Sequence, residues 1–340
     1  MTTPTAEDGN LVELASLTPL RPIATGGSGS IHQPADRPEV VYKEFRDAES
    51  YRSRTRELVE FRTNLSRPHR ESVDATFSWP LAQVVNNGQF VGILLSRIPF
   101  DFYVHLSTGT SKERNLGYLI HEKRSERVGI LAVPLPGKLA VLRSLARACQ
   151  FLDKFDLVHE DLSPRNIAWT LDEAPAVYLL DCDSIRSPSE NPSPPAFLTP
   201  EWTDPRVLGR DVARPDKDST VYSLGLIAAR VLIDPSWRPP LADSDDDKAQ
   251  DPMLRLISRS VRASLPRPAI DEWIETLTLE IERTPSTPTA SRRVDVATTA
   301  PARVQFNRVS YQDKDRIAVG VGVLLGILAA ILVLLLVSGP

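Results

Sequence analysis

The sequence predicts an α+β fold, with a β-rich front half, an α-helical back half and one membrane-spanning helix near the C-terminal end. Three observations predict it. Residues 11–100 read as short strands around one helix, helical periodicity takes over from about residue 100, and Ile317–Val337 is an uninterrupted uncharged run. With 41% apolar and 25% charged residues over 340 positions, the chain has the composition of a globular protein with an ample core. A net charge of −4 gives no reason to expect nucleic acid as a partner. The two cysteines, Cys149 and Cys182, each lie in an apolar run, which argues for a reducing compartment and against a disulfide framework.

Residues 1–10 are polar, are expected to be disordered, and hold no apolar stretch suited to a secretory signal. Candidate strands follow at Leu20–Ala24, Ser30–Gln33, Val40–Phe45, Leu81–Val85 and Phe90–Arg97, with Asn86–Gly88 as a hairpin turn joining the last two. Ala48–Leu65, rich in Arg and Glu, is the helix among them. Farther on, Leu139, Leu142, Leu145, Ala146, Cys149 and Leu152 recur at helical spacing, and Val221–Leu232 and Pro268–Glu282 are further helices. The front (about 11–100) and the back (about 101–281) suggest two lobes with a cleft between them. Residues 282–316 carry many Thr, Ser, Pro and Ala and too few bulky apolar residues to fold, so they read as a disordered linker.

Ile317–Val337 is 21 residues long. At about 1.5 Å per residue it spans roughly 30 Å, the thickness of a bilayer core. Arg303, Arg308, Lys314 and Arg316 precede it, and the three residues after it carry no positive charge. The positive-inside tendency therefore keeps the bulk of the chain on the cytoplasmic side of a cell membrane, tethered by a single pass. Ala318, Gly322, Gly326 and Ala330 recur every four residues, a small-residue face on which two copies of the helix can approach as a homodimer.

Five stretches between these ends carry chemistry. The first, IATGGSGSI (Ile23–Ile31), sets glycines between two strands, where backbone N–H groups can approach phosphate oxygens. In the second, VVYKEF (Val40–Phe45), Lys43 lies mid-strand among apolar neighbours; such a lysine is usually solvated unless an anion draws it inward. The helix after it offers Glu57 and Glu60, either of which can orient that lysine. VHEDLSPRNIAW (Val158–Trp169) holds Asp161 and, five residues on, Asn166. Finally, VYLLDCDSI (Val177–Ile185) is an apolar strand ending in carboxylates, a natural place for a Mg²⁺ ligand.

In this order and spacing the stretches resemble a protein kinase over about residues 11–281, and SWPLAQVV, FVGILLSRIP and LLDCDS look closest to a divergent bacterial Ser/Thr branch. The resemblance implies a bilobal protein-kinase-like fold, a β-rich N-lobe on an α-helical C-lobe. The glycine-loop pattern G-x-G-x-x-G-x-V maps onto Ala24, Gly26, Gly29 and Ile31, so Gly26, Gly27, Ser28, Gly29, Ile31 and Val41 are implied to bind ATP. V-A-I-K matches VVYK, giving Lys43 the α/β-phosphates, with Glu60 as the helix glutamate and Glu57 as the alternative. H-R-D-L-x-x-x-N matches HEDLSPRN, making Asp161 the base and Asn166 a metal ligand; D-F-G resembles Asp181-Cys182-Asp183, with Asp181 on Mg²⁺, or Mn²⁺ in its place. LTPEWTDPR (Leu198–Arg206) and LPRPAIDEW (Leu265–Trp273) resemble later kinase segments.

The chain departs from the pattern at several positions. Glu160 replaces an Arg that grips an activating phosphate, and Ser163 replaces the catalytic-loop Lys, leaving Arg165 as the implied substitute charge. Asp183 replaces a glycine, as a second metal ligand or a turn cap. Arg206 replaces a Glu that pairs with an Arg such as Arg267, so that region must be braced otherwise, and Thr220 stands where the next helix usually begins with Asp. The expected activity is ATP-dependent phosphorylation of Ser/Thr hydroxyls on protein substrates. The alternatives are a pseudokinase or nucleotide-binding scaffold at the membrane and, third, a small-molecule phosphotransferase.

Overall fold

Alternating apolar and polar positions in the front half build a sheet, as expected of runs with a period of two. The computed structural model describes residues 10–187, 198–239, 250–263 and 265–284. Six strands form one sheet in the order β1-β5-β6-β4-β3-β2. They are β1 (Leu11–Glu13), β2 (Leu20–Thr25), β3 (Gly29–Pro34), β4 (Val40–Phe45), β5 (Pro80–Asn86) and β6 (Gln89–Ser96). Only β1 runs parallel to its neighbour; the other pairs are antiparallel. The β5–β6 turn is the expected hairpin, with Asn87 and Gly88 both at positive φ (52° and 77°), as a two-residue type I′ turn requires.

Helices α1 (Ala48–Asn64) and α2 (Arg67–Thr76) lie between β4 and β5 in sequence. The buried face of α1 carries Tyr51, Arg54, Thr55, Leu58 and Val59. Gln83 of β5 ties it down, donating to the Arg52 carbonyl at 2.7 Å and to Thr55 Oγ1 at 2.9 Å. Sequence pattern did not suggest α2, since Val73 is its one buried residue. Its place is set by packing and by a two-pronged ion pair, Arg62 to Asp74, at 2.7 Å for each contact.

The back half is mainly helical. A small hairpin, β7 (Tyr103–His105) and β8 (Ser111–Glu113), leads to α3 (Leu116–Ile120), α4 (Glu122–Glu126) and the long α5 (Leu135–Lys154). Two further pairs follow: β9 (Val158–His159) with β12 (Ile185–Arg186), and β10 (Ile167–Thr170) with β11 (Ala176–Leu179). Then come α6 (Pro205–Leu208), α7 (Lys217–Leu232), α8 (Pro252–Val261) and α9 (Ile270–Arg283). Asp216 caps α7, accepting from the Ser219 N–H at 2.8 Å. The expectation that Thr220 stands at the helix start is therefore corrected: the helix begins a turn earlier, and an aspartate does cap it.

Apolar packing joins front and back. One core runs from Leu58, Val73, Phe77 and Trp79 through Leu142 and Leu145 to Ile227 and Trp273. Smaller clusters cover the two sheet faces, one with Val40, Tyr42 and Val84, the other with Val41, Phe45 and Tyr51. Among the described residues no helix is long and apolar enough to cross a membrane. The N-terminal residues 1–9, most of the expected linker, the apolar run Ile317–Val337 and its face Ala318, Gly322, Gly326 and Ala330 lie outside the described residues.

Candidate functional site

Strand alternation decides where Lys43 points. Val41, Lys43 and Phe45 share one face of β4, Ile31 sits opposite Lys43 on β3, and Tyr51 of α1 stacks on Phe45 with ring centroids 4.3 Å apart. Lys43 is thus 4% exposed, and a buried ammonium group requires a close anion. Its Nζ donates to Asp183 Oδ1 and Oδ2 at 2.7 and 2.8 Å and to Asp181 Oδ1 at 3.4 Å. Burial disfavours its charge, but Asp183 and then Asp181 outweigh burial and raise its pKa above the usual lysine range.

The β10–β11 hairpin gathers the remaining groups. Ile167 pairs with Leu179, so Asn166 and Asp181 fall at the same end of the hairpin, and the Leu180 N–H donates to the Asn166 carbonyl at 2.8 Å. Asn166 Nδ2 donates to both the Asp161 carbonyl and Asp161 Oδ2 at 2.9 Å, leaving its amide oxygen as the acceptor end. Thr199 completes the setting of Asp161, donating its N–H to Oδ1 at 3.2 Å and its hydroxyl to Oδ2 at 3.1 Å. His159 braces the loop through the Leu180 carbonyl at 2.8 Å and Ser184 at 3.3 Å. Asp181 sits at φ 52°, a left-handed conformation uncommon for a residue with a side chain, and its side chain is 59% exposed. Lys43, Asp181, Asn166 and Asp161 therefore form one linked series across the junction of sheet and helices.

Among the described residues no group of three or more His, Cys, Asp or Glu is arranged to hold a metal. A Mg²⁺ ion bound with a nucleotide takes only one or two protein oxygens, with phosphate and water completing its shell. The exposed Asp181 carboxylate and the Asn166 amide oxygen, from the same end of the hairpin, are oxygens of the kind that demand calls for.

The turn from Gly26 to Gly29 joins β2 to β3, closed by the Gly26 N–H donating to the Gly29 carbonyl at 2.8 Å. The Ser28 carbonyl accepts from the Arg46 N–H at 3.1 Å. Gly26 and Gly27 are exposed and Ser28 is half-buried. Gly29 is required by strand packing, because a Cβ there would lie 1.8 Å from the Glu44 carbonyl oxygen.

One expectation is corrected here. Glu60 does not meet Lys43: its side chain is 53% exposed with Arg56 4.0 Å away, and Glu57 accepts from Ser53 on the surface. The reason is helical phase, since the buried face of α1 carries no acid. Arg165 is exposed and makes no hydrogen bond or ion pair among the described residues, while Ser163 is buried with its Oγ unpartnered.

The other departures have structural counterparts. Glu160 is buried, and Arg54 of α1, Arg186 of β12 and Arg214 all converge on its carboxylate. Burial lowers the pKa of Arg214; Glu160 works against that shift and neighbouring Arg54 adds to it. Arg206 and Arg267 are bridged by Asp204: Arg206 Nη2 lies 2.8 Å from Asp204 Oδ2 and 2.8 Å from Asp216 Oδ1, and Arg267 Nη1 binds the same Asp204 oxygen. Burial works against the Asp204 charge, but hydrogen bonds from Arg267 and Arg206 hold its carboxyl below the usual range. Both cysteines are free and buried; burial pushes the Cys149 thiol up to about 12 and raises that of Cys182 well above its ordinary value.

No family model matches this chain. Sequence reasoning missed three sets of contacts: Asp183 on Lys43, Thr199 on Asp161, and the arginines on Glu160. One signal was available. Arg54 falls at helical spacing between Tyr51 and Leu58, on the stripe where α1 should be apolar.

Proposed function

We propose that the chain is a bilobal, protein-kinase-like enzyme that moves the γ-phosphoryl group of ATP to Ser/Thr hydroxyls of protein substrates, tethered to a membrane on its cytoplasmic side by Ile317–Val337. The observation that carries this reading is the linked series of Lys43, Asp181, Asn166 and Asp161 at one junction. Lys43 brings a fixed positive charge to the polyphosphate, where it offsets negative charge on the oxygens. Asp161, oriented by Asn166 and Thr199, takes the proton from the attacking hydroxyl. That oxygen bonds to the γ-phosphorus, the β–γ bridging bond breaks, and ADP leaves. A Mg²⁺ ion held by Asp181 and Asn166 would supply further neutralisation of phosphate charge.

The test uses the full-length protein with labelled ATP and Mg²⁺, and the Asp161→Asn variant as control. Transfer by the wild type that falls about 100-fold or more in the variant supports the reading. Equal signal from the two proteins refutes it. One observation favours a second reading, a nucleotide-binding scaffold without turnover: the place of the expected catalytic-loop cation is taken by Ser163, which is buried with its Oγ unpartnered. Thermal stabilisation by Mg·ATP without labelling of any protein would select that reading.

A further inference from the structure

Lys43 can point inward only if a carboxylate meets it there, and α1 has none to offer. The face of that helix turned to the interior carries Tyr51, Arg54, Thr55, Leu58 and Val59, and its glutamates lie outside. The carboxylate comes instead from Asp183, two residues past Asp181. Asp183 is 4% exposed, and Lys43 Nζ binds its two oxygens at 2.7 and 2.8 Å. The short helical turn Cys182–Ser184 holds it in place: the Ser184 N–H donates to the Asp181 carbonyl at 2.9 Å, and Cys182 is buried against the Leu179 carbonyl. That turn directs the neighbouring carboxylates to different surroundings, Asp181 to solvent and Asp183 to the interior.

We propose that Asp183 is the positioning residue of Lys43, fixing its ammonium group toward the nucleotide phosphates, while Asp181 alone of the two carboxylates is left for the metal. This rests on the reading of the site given above. A buried lysine held at both carboxylate oxygens of one aspartate keeps a single orientation, so its charge is in place before any phosphate arrives. The same arrangement makes the orientation of Lys43 independent of any glutamate on α1. Asp183 acts through Lys43 and has no separate role on the metal.

A double-mutant cycle on the full-length protein tests this, with Mg·ATP binding followed by calorimetry and the Mg²⁺ concentration at half-saturation as a second readout. Asp183→Asn is expected to weaken Mg·ATP binding at least tenfold without moving the Mg²⁺ midpoint. Lys43→Met and the double variant Lys43→Met/Asp183→Asn are expected to bind equally, because nothing remains for Asp183 to position. A Mg²⁺ midpoint that rises severalfold in Asp183→Asn, a further tenfold loss in the double variant, or an Asp183→Asn protein within twofold of wild type each overturns the proposal. Should Asp183→Asn alone fail to fold, Lys43→Met against the double variant decides, since both lack the unpaired buried lysine. Wild-type protein that does not bind Mg·ATP at all removes the kinase reading and this proposal together, whereas wild-type binding with an indifferent Asp183→Asn removes this proposal only.

Discussion

At Lys43 one cation is shared by two carboxylates; at Glu160 one carboxylate is shared by three guanidinium groups. The first cluster is negative on balance and open on one side, because the Asp181 side chain is 59% exposed. Such a cluster can gain a cation and a polyphosphate without being dismantled. At the second, Glu160, Arg54, Arg186 and Arg214 are each no more than 9% exposed at the side chain. It joins α1, β9, β12 and the loop before α7, and its work is to hold them together. Ion pairs of similar length thus divide into a site that can exchange partners and a strut that cannot.

The strut should show the largest effect on stability. Glu160→Gln leaves the guanidinium groups without the carboxylate that gathers them, and breaking a buried pair in this way costs about 3–5 kcal/mol. A chemical-denaturation midpoint within error of wild type would make the two clusters alike and break the comparison. At the open site the loss should fall on ligands instead. Asp181→Asn is expected to raise the Mg²⁺ concentration needed for ATP binding at least tenfold while shifting stability by less than about 1 kcal/mol, since an exposed pair contributes little. A variant that melts early with an unchanged Mg²⁺ requirement would move Asp181 into the strut class.

Acid sharpens the same contrast at Asp204 and Asp216, whose carboxyls both bind protons less readily in the fold, against the opposing effect of burial, because Arg206 donates to each and Arg267 to Asp204. Their contribution to stability is therefore complete above the ordinary aspartate value of 3.8 and is lost as pH falls below it. Melting temperature followed from pH 6 to pH 3 should drop less steeply in Asp204→Asn than in wild type; parallel curves would exclude Asp204 from the acid response. The smallest effect belongs to the surface. Glu60→Gln should alter stability by less than about 0.5 kcal/mol and leave Mg·ATP affinity within twofold, measured by the same titrations. A large loss would restore the glutamate of α1 as a partner of Lys43.

Much of this fold could be read from period and punctuation. Val40–Phe45 is a strand over the range that its pattern predicts, and Asn86–Gly88 turns as its two positive-φ residues require. The helix Arg67–Thr76 was not legible because one buried valine makes no periodic pattern; tertiary contacts form it. At the site, Asp161, Asn166 and Asp181 stand out in the sequence because their stretches, taken in order, resemble the motifs of a known family. The partner of Lys43 did not, because it depends on helical phase: a shift of one residue in α1 would bring Glu57 or Glu60 onto its inner face in place of Leu58 or Val59. Asp204 between Arg206 and Arg267 was hidden for a related reason. Two arginines announced that something must separate them, but only three-dimensional closure shows which carboxylate does.

Cys182 lies between the two carboxylates of the Lys43 cluster, and Cys149 lies mid-helix in α5; neither is accessible. The molecule thus carries two internal clocks. Alkylation of Cys182 times the opening of the turn that presents Asp181 and Asp183, and alkylation of Cys149 times the opening of the central core. A nucleotide that occupies the cluster would slow the first clock while leaving their ratio as a direct record of how far the site can breathe without the rest of the protein.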